Sequence, residues 1–138
     1  MLGRLVTLGA LMALLAVGFG AIGAHVFAPR LQGAALHTWE TAARYHLTHS
    51  LALIVAGAVS DRWPGRAPVF AAGGFLLGIV AFCGSLYALA LGGPSWLGVV
   101  APFGGMAFVA GWGGIAVAAA GPERLRPGQR PAWPVRKS

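Results

Sequence analysis

The chain has 138 residues, of which 57% are hydrophobic and only 9% charged, with a formal net charge of +7. A soluble domain carries about 25% Asp, Glu, Lys and Arg, so too little charge is present to cover a water-facing surface in the usual way. That argues against a soluble enzyme, a disordered chain and a disulfide scaffold, and for a small polytopic membrane protein.

The remaining arithmetic agrees. Cys83 is the only cysteine, so no intrachain disulfide can form. The basic residues are scattered around long apolar runs and form no stripe interleaved with aromatics. Their pattern fits topogenic charge flanking membrane helices, with the lipid bilayer as partner, and gives no sign of nucleic-acid binding.

In chain order, the first apolar stretch occupies about residues 5–25 and closes on His25. Arg4, the apolar run and Ala21-Ile22-Gly23-Ala24 have the outline of a secretory signal. The run is longer than a signal core and three more spans follow, so it reads as a retained helix. A second stretch covers about 42–60, a third 69–91 and a fourth 97–120. Each approaches the ~20 residues a helix needs to cross the hydrocarbon layer. Pro29, the Asp61–Arg66 turn, Gly92-Gly93-Pro94 and Gly121-Pro122 separate or end them. The expected fold is all-α, a compact bundle of four transmembrane helices within residues 1–121, with a short amphipathic outer segment leading into the second helix. A basic, flexible cytoplasmic tail is expected over 122–138.

Orientation follows from the positive charges. With the N-terminus cytoplasmic, Arg4, Arg62, Arg66 and the basic tail residues lie on one side, and only Arg30 and Arg44 on the other. That asymmetry predicts an inner-membrane protein with both termini cytoplasmic.

The polar residues inside this apolar chain gather on the outer side. Read as helix, Glu40, Arg44 and Thr48 fall on one flank within about 80°, while Tyr45 and His49 form a second i,i+4 pair with His49 about 180° from Glu40. His49 lies roughly 10 Å below Ala42, inside the hydrocarbon layer. His25 closes the first helix at the outer boundary, and Ser85 and Tyr87 reach the outer third from the third helix. The candidate site is therefore His25, Glu40, Arg44, Tyr45, His49, Ser85 and Tyr87.

Structural roles stand beside that reading. Glu40 and Arg44 suit an interfacial salt bridge, and His49 suits a neutral core histidine bonded to Tyr87 or Ser85. Ser85 can bond back to its own helix. His37 and His46 read as solvated or interfacial. Gly74-x-x-x-Gly78 and the Ala16, Gly20, Ala24 series are small-residue faces suited to close helix approach or a homo-oligomer.

The runs Gly20-Ala21-Ile22-Gly23-Ala24-His25 and Trp39-Glu40-Thr41-Ala42-Ala43-Arg44-Tyr45-His46-Leu47-Thr48-His49-Ser50 resemble the small membrane family catalogued as domain of unknown function 423. That family is similar to the animal transmembrane protein 256. Gly84-Ser85-Leu86-Tyr87, Pro102-Phe103-Gly104-Gly105 and Ala110-Gly111-Trp112 extend the resemblance over residues 4–120. It implies a four-helix inner-membrane protein and supplies no activity.

Function is read from what the residues can do. No nucleophile, base and oxyanion set is assembled, so a non-catalytic accessory or assembly component of a larger membrane complex ranks first. A bundle binding a haem, a metal or a quinone through His25, Glu40, Arg44 and His49 ranks second. No cofactor is firmly implied. A proton or small-solute conduit ranks third, because the inner halves of the helices offer no matching polar residues.

Overall fold

The computed structural model describes residues 2–31 and 33–121. The expected basic tail at 122–138 lies outside the described residues. All regular structure described is helical and forms four helices: α1 (Leu2–Phe27), α2 (Ala34–Arg62), α3 (Ala67–Ala90) and α4 (Leu97–Ala119). α1, α3 and α4 are long and apolar enough to cross a membrane. The 29 residues of α2 span about 43 Å, but its polar residues keep it from reading as a membrane span on composition.

The apolar pattern starts the second helix near residue 42, whereas α2 begins at Ala34. The cause is Trp39. Polar Thr38, Glu40 and Thr41 interrupt the hydrophobic run, yet one face of this turn carries Leu36 and Trp39, and Trp39 is only 5% exposed. Burying that ring against α1 holds the segment helical. The expected amphipathic outer segment is thus the first two turns of α2 itself. α1 also extends beyond the expected 5–25, through a widened turn at Gly23–Phe27 in which the Ala28 N–H donates to the Gly23 carbonyl at 2.8 Å. Pro29 follows and cannot continue the helix.

α3 contains a second widened turn at Ile79–Cys83. Proline is tolerated in its first turn, where Pro68 sits, because the missing N–H has no helical partner there anyway. At its other end Gly92 takes φ 82°, and the Gly93 N–H reaches the Ala88 carbonyl at 2.8 Å. That backbone turn favours glycine because a Cβ is disfavoured at positive φ.

α2 is the axis of the packing. α1 lies chiefly against it on one side, and α3 and α4 pair with each other and cover another side. The core is built from Ala42, Ala52, Leu53 and Ala56 of α2, Ala71, Ala72, Phe75, Ile79 and Cys83 of α3, and Phe108 of α4. Small residues predominate because helices in lipid gain no hydrophobic driving force from one another and associate through close contact. The α1–α2 crossing shows it: a Cβ on Gly9 would lie 2.8 Å from the Ser50 carbonyl oxygen. Large apolar side chains such as Leu14, Val80 and Val109 point outward, as expected where the solvent is lipid.

Candidate functional site

α2 carries three consecutive positions, Tyr45, His46 and Arg44, followed a turn later by Thr48 and His49. Helical geometry sends them to different neighbours. Two nests of rings result, one on each side of α2.

The first nest lies between α1, α2 and α3. The Phe19 ring packs edge-on against Trp39 at 5.9 Å and against Tyr87 at 4.9 Å, and Trp39 meets Tyr87 at 4.6 Å. The Trp39 Nε1–H donates to the Phe19 carbonyl at 2.8 Å, tying the start of α2 to the end of α1. Gly23 makes room for this, since a Cβ there would lie 2.6 Å from Trp39 Cδ1. His46 closes the nest and is 4% exposed, not solvated or interfacial as its polarity suggests. The face of α2 that holds it is the one α1 and α3 cover. Its Nδ1 lies 3.5 Å from the Tyr87 hydroxyl, at the outer limit of a hydrogen bond, and its Nε2 is buried without a partner among the described residues.

The second nest lies between α2, α3 and α4 around His49. Its imidazole stacks on Phe108 with centroids 3.5 Å apart, and Tyr45, Phe75 and Trp112 surround it. Trp112 is donor only, so its Nε1–H donates to His49 Nε2 at 3.3 Å. Nδ1 must then carry the imidazole proton, and it donates to the Tyr45 carbonyl at 2.8 Å. Both ring nitrogens are satisfied in one neutral tautomer. The neutral core histidine expected from the sequence is therefore present, with Trp112 and a backbone carbonyl as partners instead of Tyr87 or Ser85.

Around His49 a groove of about 520 Å³ opens toward the exterior between α2 and α4. Arg44 and Thr48 form one wall, Phe82 of α3 and Phe108 of α4 line it, and Gly105, Val109 and Trp112 face them from α4. Pockets for small amphipaths are of roughly this size, mostly apolar with a few polar groups. Thr48 bonds back to the Arg44 carbonyl at 2.9 Å. The Arg44 guanidinium is the cationic donor set at the rim.

The predicted site residues thus separate. Arg44, Tyr45 and His49 meet at the groove, while Tyr87 belongs to the His46 nest. Ser85 is buried on α3. His25 and Glu40 are exposed, and among the described residues no ion pair joins Glu40 to Arg44. The expected interfacial salt bridge is therefore absent, and Arg44 lines the groove instead. Sequence reading passed over Trp112, Phe108 and Phe82, which read as ordinary apolar residues of their helices. Among the described residues no group of three or more His, Cys, Asp or Glu side chains is placed to hold a metal.

Comparison with known proteins follows the same outline. The family model described as Protein of unknown function (DUF423) matches residues 19–105. The chain is 44% identical over 115 residues to the UPF0382 membrane protein YwdK of Bacillus subtilis (strain 168), covering 83% of this chain and 94% of that protein. It is 43% identical over 113 residues to the UPF0382 membrane protein SH2409 of Staphylococcus haemolyticus, covering 78% and 87% respectively. No solved structure gives a significant match. The matched span contains both ring nests except Phe108 and Trp112.

Proposed function

We propose, from the premise that this chain belongs to the DUF423 family of membrane proteins, that it is a non-catalytic inner-membrane protein whose groove binds a lipid-soluble, quinone-like ligand. The observation that carries this reading is the meeting of Arg44 with Tyr45, Phe82, Phe108 and Trp112 in one groove open to the exterior. A ligand carbonyl can accept from the guanidinium while a flat headgroup lies against the rings. A haem suits the residues less well. Its two histidines would have to face one another, whereas His25 is exposed at the end of α1 and His49 is engaged on the α4 side. A conduit is also disfavoured, because below His49 and Ser50 the core residues of α2 are Ala52, Leu53 and Ala56.

The reading includes four spans and cytoplasmic termini. In it α2 crosses with His46 and His49 buried against the other helices and Thr48 and Ser50 bonded to its own carbonyls, while Arg44 stays exposed at the groove. The positive charges argue for the orientation.

Titrating purified protein in detergent micelles with a short-chain ubiquinone analogue tests the binding, read by tryptophan fluorescence. Saturable quenching is expected, with Arg44→Gln binding at least about tenfold more weakly, the size of one charge-assisted hydrogen bond. Linear quenching, identical in both proteins, would remove the reading.

Assembly with a larger membrane complex is the second reading, favoured by α1. Only 11% of its apolar span is buried, and it packs chiefly on α2. A tagged pull-down from native membranes at native expression decides it: a stoichiometric partner supports it, and a lone protein does not.

A further inference from the structure

A second groove, of about 710 Å³, lies on a different face of α4 from the first, at the end of the bundle where α3 begins. Its walls are Val69 and Phe70 of α3 and Val117 of α4, and Gly113 and Gly114 leave its floor bare. Arg66 stands at its mouth, immediately before α3. The three wall side chains are 50%, 64% and 68% exposed, so the groove runs into the outer apolar surface along its flank.

The sequence arrangement explains the shape. Gly114 is bare because α3 passes close by, and a Cβ there would lie 3.0 Å from the Ala71 Cβ. Gly113 is different: nothing lies within 4 Å of where its Cβ would be. The slot exists because two adjacent glycines face a seam that only one of them needs for packing.

We propose that this groove binds one anionic glycerophospholipid, with a phosphate on the Arg66 guanidinium and an acyl chain along Val69, Phe70 and Val117. Charge complementarity selects the headgroup. The shape selects a lipid over a free anion, because a single cation heads an apolar slot many times the volume of a phosphate. This site is separate from the His49 groove and its ligand, so each can fail without the other.

The test is native mass spectrometry of the purified full chain with phosphatidylglycerol, phosphatidylcholine or inorganic phosphate added. The wild type should retain one phosphatidylglycerol in preference to phosphatidylcholine. Arg66→Gln should weaken phosphatidylglycerol about fivefold, the size expected of one basic residue at an anionic surface. Gly113→Leu should fill the slot and abolish binding with the charge intact, and Gly98→Leu, at an open glycine near the other end of α4 and outside the groove, should bind like wild type. Circular dichroism and elution volume confirm that the variants fold. Equal retention of both lipids would overturn the proposal, as would competition by inorganic phosphate or full binding by Gly113→Leu. A dimer lost in Gly113→Leu and indifferent to lipid would assign the groove to a second copy and also overturn it.

Discussion

His49 makes one hydrogen bond within α2, to the Tyr45 carbonyl, and one across to Trp112 of α4, a pair that only a neutral imidazole can make together. Its position in an apolar stretch made it visible in the sequence, but its partner Trp112 lies 63 residues further on. No spacing rule links the two. Trp112→Phe keeps an aromatic, though smaller, ring and removes the donor, so it should cost about 0.5–1.5 kcal/mol, the range of interhelical hydrogen bonds in lipid. His49→Ala also empties the space against Phe108 and should cost more, about 2–4 kcal/mol as a large-to-small core change. Denaturant unfolding in mixed micelles measures both, and equal stability of Trp112→Phe and wild type would contradict the bond. Gly23→Ala belongs to the same scale. Its methyl group would push the Trp39 ring off α1 and threaten the bond to the Phe19 carbonyl, at about 1–3 kcal/mol for overpacking. A lower melting temperature, with Trp39 fluorescence shifted, is the expected readout.

Between elements, the seam of α3 and α4 is set by which glycine faces which backbone. A Cβ on Gly74 would lie 2.8 Å from the Ala107 carbonyl oxygen and 3.1 Å from the Gly111 Cα, and these backbone atoms cannot swing aside. Gly73, its neighbour, has nothing within 4 Å. Gly74→Ala should therefore destabilise by about 1–3 kcal/mol, whereas Gly73→Ala should be neutral or slightly stabilising, as alanine is the better helix former by about 1 kcal/mol. Comparing their unfolding midpoints tests the close approach, and similar values would refute it. The Gly74-x-x-x-Gly78 pattern was legible as a packing signal, but its partner helix was not. The widened turns at Gly23–Phe27 and Ile79–Cys83 were not legible at all. Both occur in runs with ordinary helical composition, and each sits where a neighbour crowds the backbone: Trp39 at Gly23, and Gly104 of α4 at Phe82.

In the whole molecule, α2 packs among three apolar helices although it carries polar residues along its length. The four-span arrangement makes a direct prediction in a Cys83→Ala background. His37→Cys and Ser95→Cys should react with a membrane-impermeant maleimide in intact cells, and Pro64→Cys only after permeabilisation. All three positions are exposed and fall between or at the ends of helices, whereas Cys83 itself is buried. Labelling of Pro64→Cys from outside would mean that α2 does not cross as proposed.

By itself the sequence determined that this is an all-helical membrane protein, because twenty-residue apolar runs have few other stable states in water or lipid. It also located the polar residues of α2 in one stretch of the helix, 40–50, since rise per residue converts position into distance along the axis. Only the tertiary structure decided what those residues meet. Rotation of α2 put His46 against α1 and α3, His49 against α4, and Arg44 at the edge of a groove. It also left His25 and Glu40 outside. Such pairings depend on helix rotation and crossing, which are set by side-chain contacts between segments far apart in the chain, and periodicity within one segment carries no record of them.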